Sequence, residues 1–284
     1  MPPRNSPTAR QVRLGAELRK LREQAGLTAK QAGGHLAIDQ AKISHLEAGR
    51  IGVGEERIRR LAAFYRCGDA ALIDALCAIA REHRGQHWWD NYRGILDPAF
   101  MDIAELEHHA VALRSLQVVT VPGLLQTEAY ARTIFAGGRP KVPESEFEAR
   151  VEQRMKRATI LDRDDPPAFE AFIHEAALRM RFGGRKVVKE QLGHLMEVSE
   201  LPLISVRVIP LTCEDYIEAS QSVLYASGVV PQLDTVQIDG AVGGCFLDSR
   251  SHLENYRQLL DGAEQLALDQ QESRHLIHHI AREL

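Results

Sequence analysis

The stretch Leu27–Arg50, LTAKQAGGHLAIDQAKISHLEAGR, decides how the N-terminal part of this chain folds. Two short segments, Ala29–Leu36 and Gln40 to about Ala48, each follow a residue suited to cap a helix. Thr28 precedes the first and Asp39 the second, and either side-chain oxygen can accept from an amide in the next turn. Only Ala37 and Ile38 are left to connect the two helices, and Gly49 closes the second. Two short helices joined by a tight turn predict a helix-turn-helix. Ile43 and Leu46 stand three apart and point inward, so Gln40, Ala41, Ser44 and His45 take the outward face.

The flanking sequence frames this pair with more helix. Ala9–Gln24 carries an apolar stripe of Val12, Leu14, Leu18 and Leu21, and Gly26 is a good stop. A fourth helix is predicted from Glu55 to Tyr65, with Ile58, Leu61, Ala62 and Tyr65 on one face, and a fifth from Ala70 to His83. Residues 1–83 are therefore expected to form an all-α, five-helix DNA-binding domain.

The same run, with about 55 residues in all, resembles the Xre/phage-repressor family of helix-turn-helix domains. The resemblance implies that the second helix crosses the DNA backbone while the third enters the major groove. The family's core positions correspond to Leu18, Leu27, Ile43 and Leu46. Its buried ion pair corresponds to Arg22 and Glu47, a pair that sets helix orientation more than it adds stability. Its base-edge positions correspond to Gln40, Ala41, Ser44 and His45. Gln40 can bond adenine N6 and N7, and Ala41 can offer its methyl to a thymine. The phosphate-contacting set is Thr28, Lys30, Lys42 and Arg50, with Arg57, Arg59 and Arg60 following. Ala29 stands where the family has Gln, Gly33 where it has Ala, and Ala37 where it has Gly. Gly33 and Gly34 inside one helix cost roughly 1 kcal/mol each relative to alanine, which predicts a soft second helix.

Charge separates the two parts of the chain. Residues 1–66 carry 13 Lys/Arg against 6 Asp/Glu, whereas the remainder carries 22 against 33. A basic head on an acidic body implies that only the head meets a polyanion, here double-stranded DNA.

Residues 84–99 read as a junction, in which Trp88, Trp89 and Tyr92 are expected to pack rather than bind a ligand. Residues 100–284 mix both element types, so the second domain, and the chain overall, is expected to be α+β. Helices are predicted at Ile103–Leu113, Leu124–Phe135, Pro143 to about Asp162, Ala176–Phe182, Val187–Val198, Ser251–Leu268 and Gln271–Glu283. Strands are predicted at Leu116–Val121, Ala168–His174, Ile204–Ile209, Ser222–Ala226 and Thr235–Ile238, with one more near Gly243–Leu247.

VPGLLQTEAYAR (Val121–Arg132), FIHEAALRMRFGG (Phe172–Gly184) and QLGHLMEVSELPLISVRVIP (Gln191–Pro210) resemble the C-terminal domain of an actinobacterial regulator family, long of unknown function and often described as antitoxin-like. The resemblance implies a transcriptional regulator paired with a small partner protein encoded nearby, and a homodimer that places two heads on DNA is expected. The alternative is a ligand-responsive regulator with a small-molecule pocket in residues 100–284. The sequence departs from the family after Pro210, at LTCEDYIEAS.

Other classes find little support. No apolar run of about 18 residues predicts a membrane span, and Met1–Arg13 lacks the apolar region of a secretion signal, so a cytoplasmic protein is expected. Cys67, Cys77, Cys213 and Cys245 show no metal-binding spacing, and neither disulfide nor zinc is expected. His174-Glu175 lacks the second histidine of a zinc-protease motif. His275, His278 and His279 have a spacing that can hold a metal but no visible carboxylate or cysteine to complete it. No catalytic residue, cofactor or metal is assigned, and the protein is not expected to be an enzyme.

Overall fold

The computed structural model describes residues 7–82, 87–138, 140–216, 218, 221–240 and 243–284. Met1–Ser6, the predicted end of the fifth helix at His83, the start of the junction at residues 84–86 and part of the Leu211–Ser220 run lie outside the described residues. The chain divides into two compact units. One runs to Asn91 and includes Val229–Leu233; the other comprises Tyr92–Gly228 and Asp234–Leu284. No described helix is long and apolar enough to cross a membrane.

The first unit is helical: α1 (Ala9–Gln24), α2 (Ala29–Leu36), α3 (Gln40–Glu47), α4 (Glu55–Phe64) and α5 (Ala70–Arg81). Local chemistry sets the boundaries. Thr8 with Gln11 and Thr28 with Gln31 each form a capping box, in which hydroxyl and amide satisfy orphan backbone groups reciprocally. Asp39 accepts from the Lys42 amide at 2.7 Å and starts α3. Leu18, Ile43, Leu46, Ile58, Leu61 and Leu76 are buried.

The second unit is built on a six-stranded mixed sheet. Its helices are α6 (Pro98–His109), α7 (Glu128–Gly137), α8 (Glu144–Ala158), α9 (Glu175–Arg179), α10 (Arg185–Val198), α11 (Arg250–Leu266) and α12 (Gln270–Glu283). Its strands are β1 (Ala112–Gln117), β2 (Ala168–His174), β3 (Ile204–Ile209), β4 (Val223–Ser227), β5 (Thr235–Gly240) and β6 (Gly243–Leu247). The strand order is β3-β2-β1-β4-β5-β6. The β1, β2 and β3 pairings are parallel, reached through helical crossovers, and those from β1 through β6 by way of β4 and β5 are antiparallel. The molecule is thus α+β overall, with an all-α N-terminal part.

Register assigns each side chain to a face. One row crosses the whole sheet as Val206, Ala171, Ser115, Leu224, Gln237 and Phe246. The adjacent row, on the opposite face, runs Arg207, Phe172, Leu116, Val223, Ile238 and Cys245. On that second face Leu116, Phe172, Val223 and Val236 pack with Leu253, Leu260 and Ala263 of α11. Arg114 projects there too and bonds Glu170, Asp261 and Glu264.

The first strand lies four residues before the predicted one. The β-branched run VVTV favours a strand at Leu116–Val121, but the strand is ALRSLQ. The preceding helix correspondingly stops at His109 instead of running to Leu113. Side-chain pairing decides: Arg114 finds carboxylates on α11, while Leu113 and Leu116 are buried on opposite faces.

The two glycines of α2 differ, since Gly34 has open space beside it and Gly33 does not. A Cβ on Gly33 would lie 2.6 Å from the Ile38 carbonyl oxygen, so close packing of the turn needs glycine there. Ala37 sits at φ +54°, the left-handed region in which a Cβ meets the following carbonyl. Ala37→Gly should therefore raise unfolding stability by about 1 kcal/mol, measured by urea denaturation of the full chain.

Candidate nucleic-acid interface

The helix pair α2–α3 is held from behind by three devices. Apolar contacts join Ala32, Leu36 and Ile43 to Leu61 and Tyr65 of the first unit's core. At the α1–α3 crossing the backbones touch: a Cβ on Gly15 would fall 2.4 Å from the Glu47 carbonyl oxygen and 2.6 Å from that of Leu46. Gly49, at φ +70°, makes a second close approach, to the Gln11 backbone.

The third device is electrostatic. Arg22 Nε donates to Glu47 Oε1 at 2.6 Å, Nη2 donates to Oε2 at 2.9 Å, and Nη1 donates to the Leu27 carbonyl at 2.7 Å. One guanidinium thus joins α1, the segment entering α2, and the end of α3. The hydrogen bonds from Arg22 to the Glu47 carboxylate raise the guanidinium above its ordinary range. Both side chains are almost wholly withdrawn from solvent, so each depends on the other.

On the opposite side of α3 the surface is open. Gln40, Ala41, Lys42 and Ser44 are exposed and His45 is half-buried. Thr28, Lys30 and Arg50 are also exposed. These residues differ in how far their polar groups are already used. The Thr28 hydroxyl donates to Gln31 Oε1 at 2.8 Å while accepting from the Gln31 amide. The Ser44 hydroxyl donates to the Gln40 carbonyl at 3.2 Å. Lys42 Nζ lies 3.5 Å from Asp39 Oδ2, and the Lys42 amide holds the Asp39 carboxyl below the usual carboxylate range. Among the described residues, the side chains of Gln40, Lys30, His45 and Arg50 make no hydrogen bond or ion pair within the chain, so their polar groups are uncommitted.

The arginines that follow α3 separate in the same way. Arg59 bonds Glu55 and Asp74, which raises its guanidinium further above the ordinary range, and Arg60 donates to the His35 carbonyl at 3.2 Å. Arg57 is exposed. The capping boxes at Thr8–Gln11 and Thr28–Gln31 escaped the sequence reading although the T-x-x-Q spacing signals them. Gly15 had no local signal, since its need arises from the opposing backbone.

Elsewhere, among the described residues no group of three or more His, Cys, Asp and Glu is placed to hold a metal ion. His279 lies 2.9 Å from Glu283. Cys67, Cys77, Cys213 and Cys245 are free thiols. Trp89 is buried beside His87 and Trp88.

A family model described as a domain of unknown function (DUF5753) matches residues 100–279, and one described as a helix-turn-helix domain matches residues 13–76. The second match spans α2 and α3 and marks a DNA-binding regulator. No curated protein matches the chain, and no solved structure does.

Arg22→Ala would strand the Glu47 carboxylate in its enclosed position and should cost about 3–5 kcal/mol of stability. Replacing both partners, as Arg22→Met with Glu47→Leu, should recover most of that loss in the same denaturant titration.

Proposed function

We propose that this chain, which belongs to the DUF5753 family through residues 100–279 and carries a helix-turn-helix domain at residues 13–76, is a sequence-specific transcriptional regulator of the Xre type. The observation that carries this reading is the divided chemistry of α3. Its inward residues are locked by packing and by Arg22, while Gln40 and His45 stand outward with their polar atoms uncommitted.

In this reading α3 lies in the major groove, and Gln40, Ala41, Ser44 and His45 meet base edges. Gln40, at the first turn of the helix, forms paired hydrogen bonds with adenine. Ala41 supplies a methyl contact. Lys30 and Arg50 meet phosphates as free cations; Lys42 must share its charge with Asp39, and Thr28 must share its hydroxyl with Gln31. Phosphate contacts of this kind give affinity and salt dependence without base choice.

The second unit is read as the controlling part of a regulator rather than as an enzyme. The resemblance of VPGLLQTEAYAR and FIHEAALRMRFGG to actinobacterial antitoxin-like domains supports control by a small protein encoded nearby, and the reading takes the regulator to act as a homodimer in the cytoplasm. A pull-down from cells that yields a small protein in equal amounts is the expected outcome; recovery of the chain alone argues against partner control. A second reading, in which a small molecule controls the regulator, is favoured by a cavity of about 660 Å³ within the second unit.

Gln40→Ala should change the preferred base at one position, with a loss of about 1–3 kcal/mol there, as read by selection of bound DNA with the full chain. An unchanged selected motif would remove Gln40 from the groove. Arg50→Ala should weaken binding to all sequences alike and reduce the slope of log affinity against log salt by roughly 0.9. The slope is measured by titrating one duplex across a salt series, and an unaltered slope would take Arg50 out of the phosphate set.

A further inference from the structure

The sheet face that carries Val206, Ala171 and Ile173 is apolar at the β3–β2 end and turns polar toward β5. Ser115, Gln117 and Gln237 lie on it, all buried. Their groups are partly satisfied: Gln117 Nε2 donates to the Ser115 hydroxyl at 3.2 Å, Ser222 donates to Gln117 Oε1 at 2.7 Å, and Gln237 Nε2 donates to Asp239 Oδ1 at 2.6 Å. This polar wall and helix α8 face each other across the 660 Å³ cavity.

Helix α8 brings Arg150, Arg154 and Arg157 to the cavity. Arg157 is spoken for by Glu107, whose carboxylate accepts from both Nε and Nη2. Arg150 bonds Glu146 at 2.6 Å. Arg154 differs. Its Nη1 donates to Gln126 Oε1 at 2.6 Å, and its guanidinium lies 4.9 Å from the centre of the Phe135 ring, but it makes no ion pair. Its Nε, like that of Arg150, is buried with no acceptor. Gln126 is turned to show Arg154 its oxygen because Nε2 donates to the Val121 carbonyl at 2.8 Å. Gly123, in the same PGLLQT motif, lets the chain pass close by: a Cβ there would lie 3.1 Å from Arg154 Nη1.

A half-buried cation with an enclosed, unbonded Nε is favoured by a counter-charge, and the neutral oxygen of a glutamine does not provide one. Burial, with the neighbouring Arg157 cation, pushes the Arg154 guanidinium down to about 9, so it remains charged at neutral pH. Three carboxylates also line the cavity, but Glu107 is taken up by Arg157, Asp239 accepts from Gln237 and Asp97 caps α6, and none of them forms an ion pair with Arg154.

We infer that this cavity is the binding site of a small organic anion, its carboxylate or phosphate group set on Arg154 and its body between Phe135 and the polar wall of Ser115, Gln117 and Gln237. A cavity of this size suits a drug-sized molecule. The inference rests on the ligand-controlled reading of the second unit and gives that reading its chemistry.

The test is thermal unfolding of the full chain in phosphate-free buffer. The probes are phenyl phosphate, phenylacetate, their neutral counterparts phenol and phenylacetamide, and inorganic phosphate alone. At least one organic anion should raise the midpoint in a saturable way by about 2–4 °C, and the neutral counterparts should not. A response to phenyl phosphate alone identifies a phosphate ligand, and a response to phenylacetate alone a carboxylate. Arg154→Gln should abolish the response while leaving the probe-free midpoint unchanged or higher. Gln117→Glu offers an independent check, because the hydroxyls of Ser115, Thr120 and Ser222 can all donate to the new carboxylate, which keeps the fold and repels an anion. It too should abolish the response. No saturable shift with either organic anion up to about 10 mM, or a shift that survives both substitutions, overturns the inference. The measurement contains no DNA, so its failure bears on the cavity alone, whereas failure of the base selection bears on α3 alone.

Discussion

A single guanidinium holds the proposed reading surface in shape. Arg22 reaches from α1 to the Glu47 carboxylate at the end of α3 and to the Leu27 carbonyl before α2. Removing two charges from water is costly, and their mutual attraction repays that only where geometry is good. Here both carboxylate oxygens are bonded and a third donor is used. Its principal effect is to select one arrangement of three segments among the many an apolar core would tolerate. The backbone contact at Gly15 then sets how deeply α1 and α3 approach, because nothing larger than hydrogen fits between Gly15 and the Leu46 and Glu47 carbonyls.

The second unit uses the same chemistry in two opposite ways. Arg114 meets three carboxylates, from Glu170, Asp261 and Glu264, and fastens α11 to its face of the sheet. Arg207 adds bonds to the carbonyls of Glu264, Ala267 and Leu268. These arginines are fully employed as fasteners. Arg154, on the other face, has a neutral glutamine and a ring. The proposed anion site rests on this contrast between arginines held in ion pairs and one that forms none.

Local signals made the head legible from sequence. The caps Thr28 and Asp39, the stop at Gly49 and the spacing of Ile43 and Leu46 lie within a few residues of what they determine, and α1, α2 and the start of α3 fall where those signals place them. Features that depend on distant partners were not legible. Gly33 reads as a helix weakener until the Ile38 carbonyl is seen against it. Arg59 and Arg60 read as free cations until Glu55, Asp74 and the His35 carbonyl take them up. In the second unit, β-branched residues marked a strand nearby, but the actual one was chosen by pairing with β2 and β4 and by carboxylates on α11. Gln126 and Arg154 lie 28 residues apart, and neither alone suggests a missing counter-charge.

The separation of duties on α3 bears on how such a protein diverges. The residues that hold the helix, Ile43, Leu46 and Glu47, alternate along it with outward residues such as Gln40 and His45 that make no side-chain bond within the chain. A change at an outward position costs the fold almost nothing, so mutation can explore new base preferences without first acquiring compensating stability. Duplicated copies of such a gene can therefore drift to different DNA sites on one unaltered scaffold.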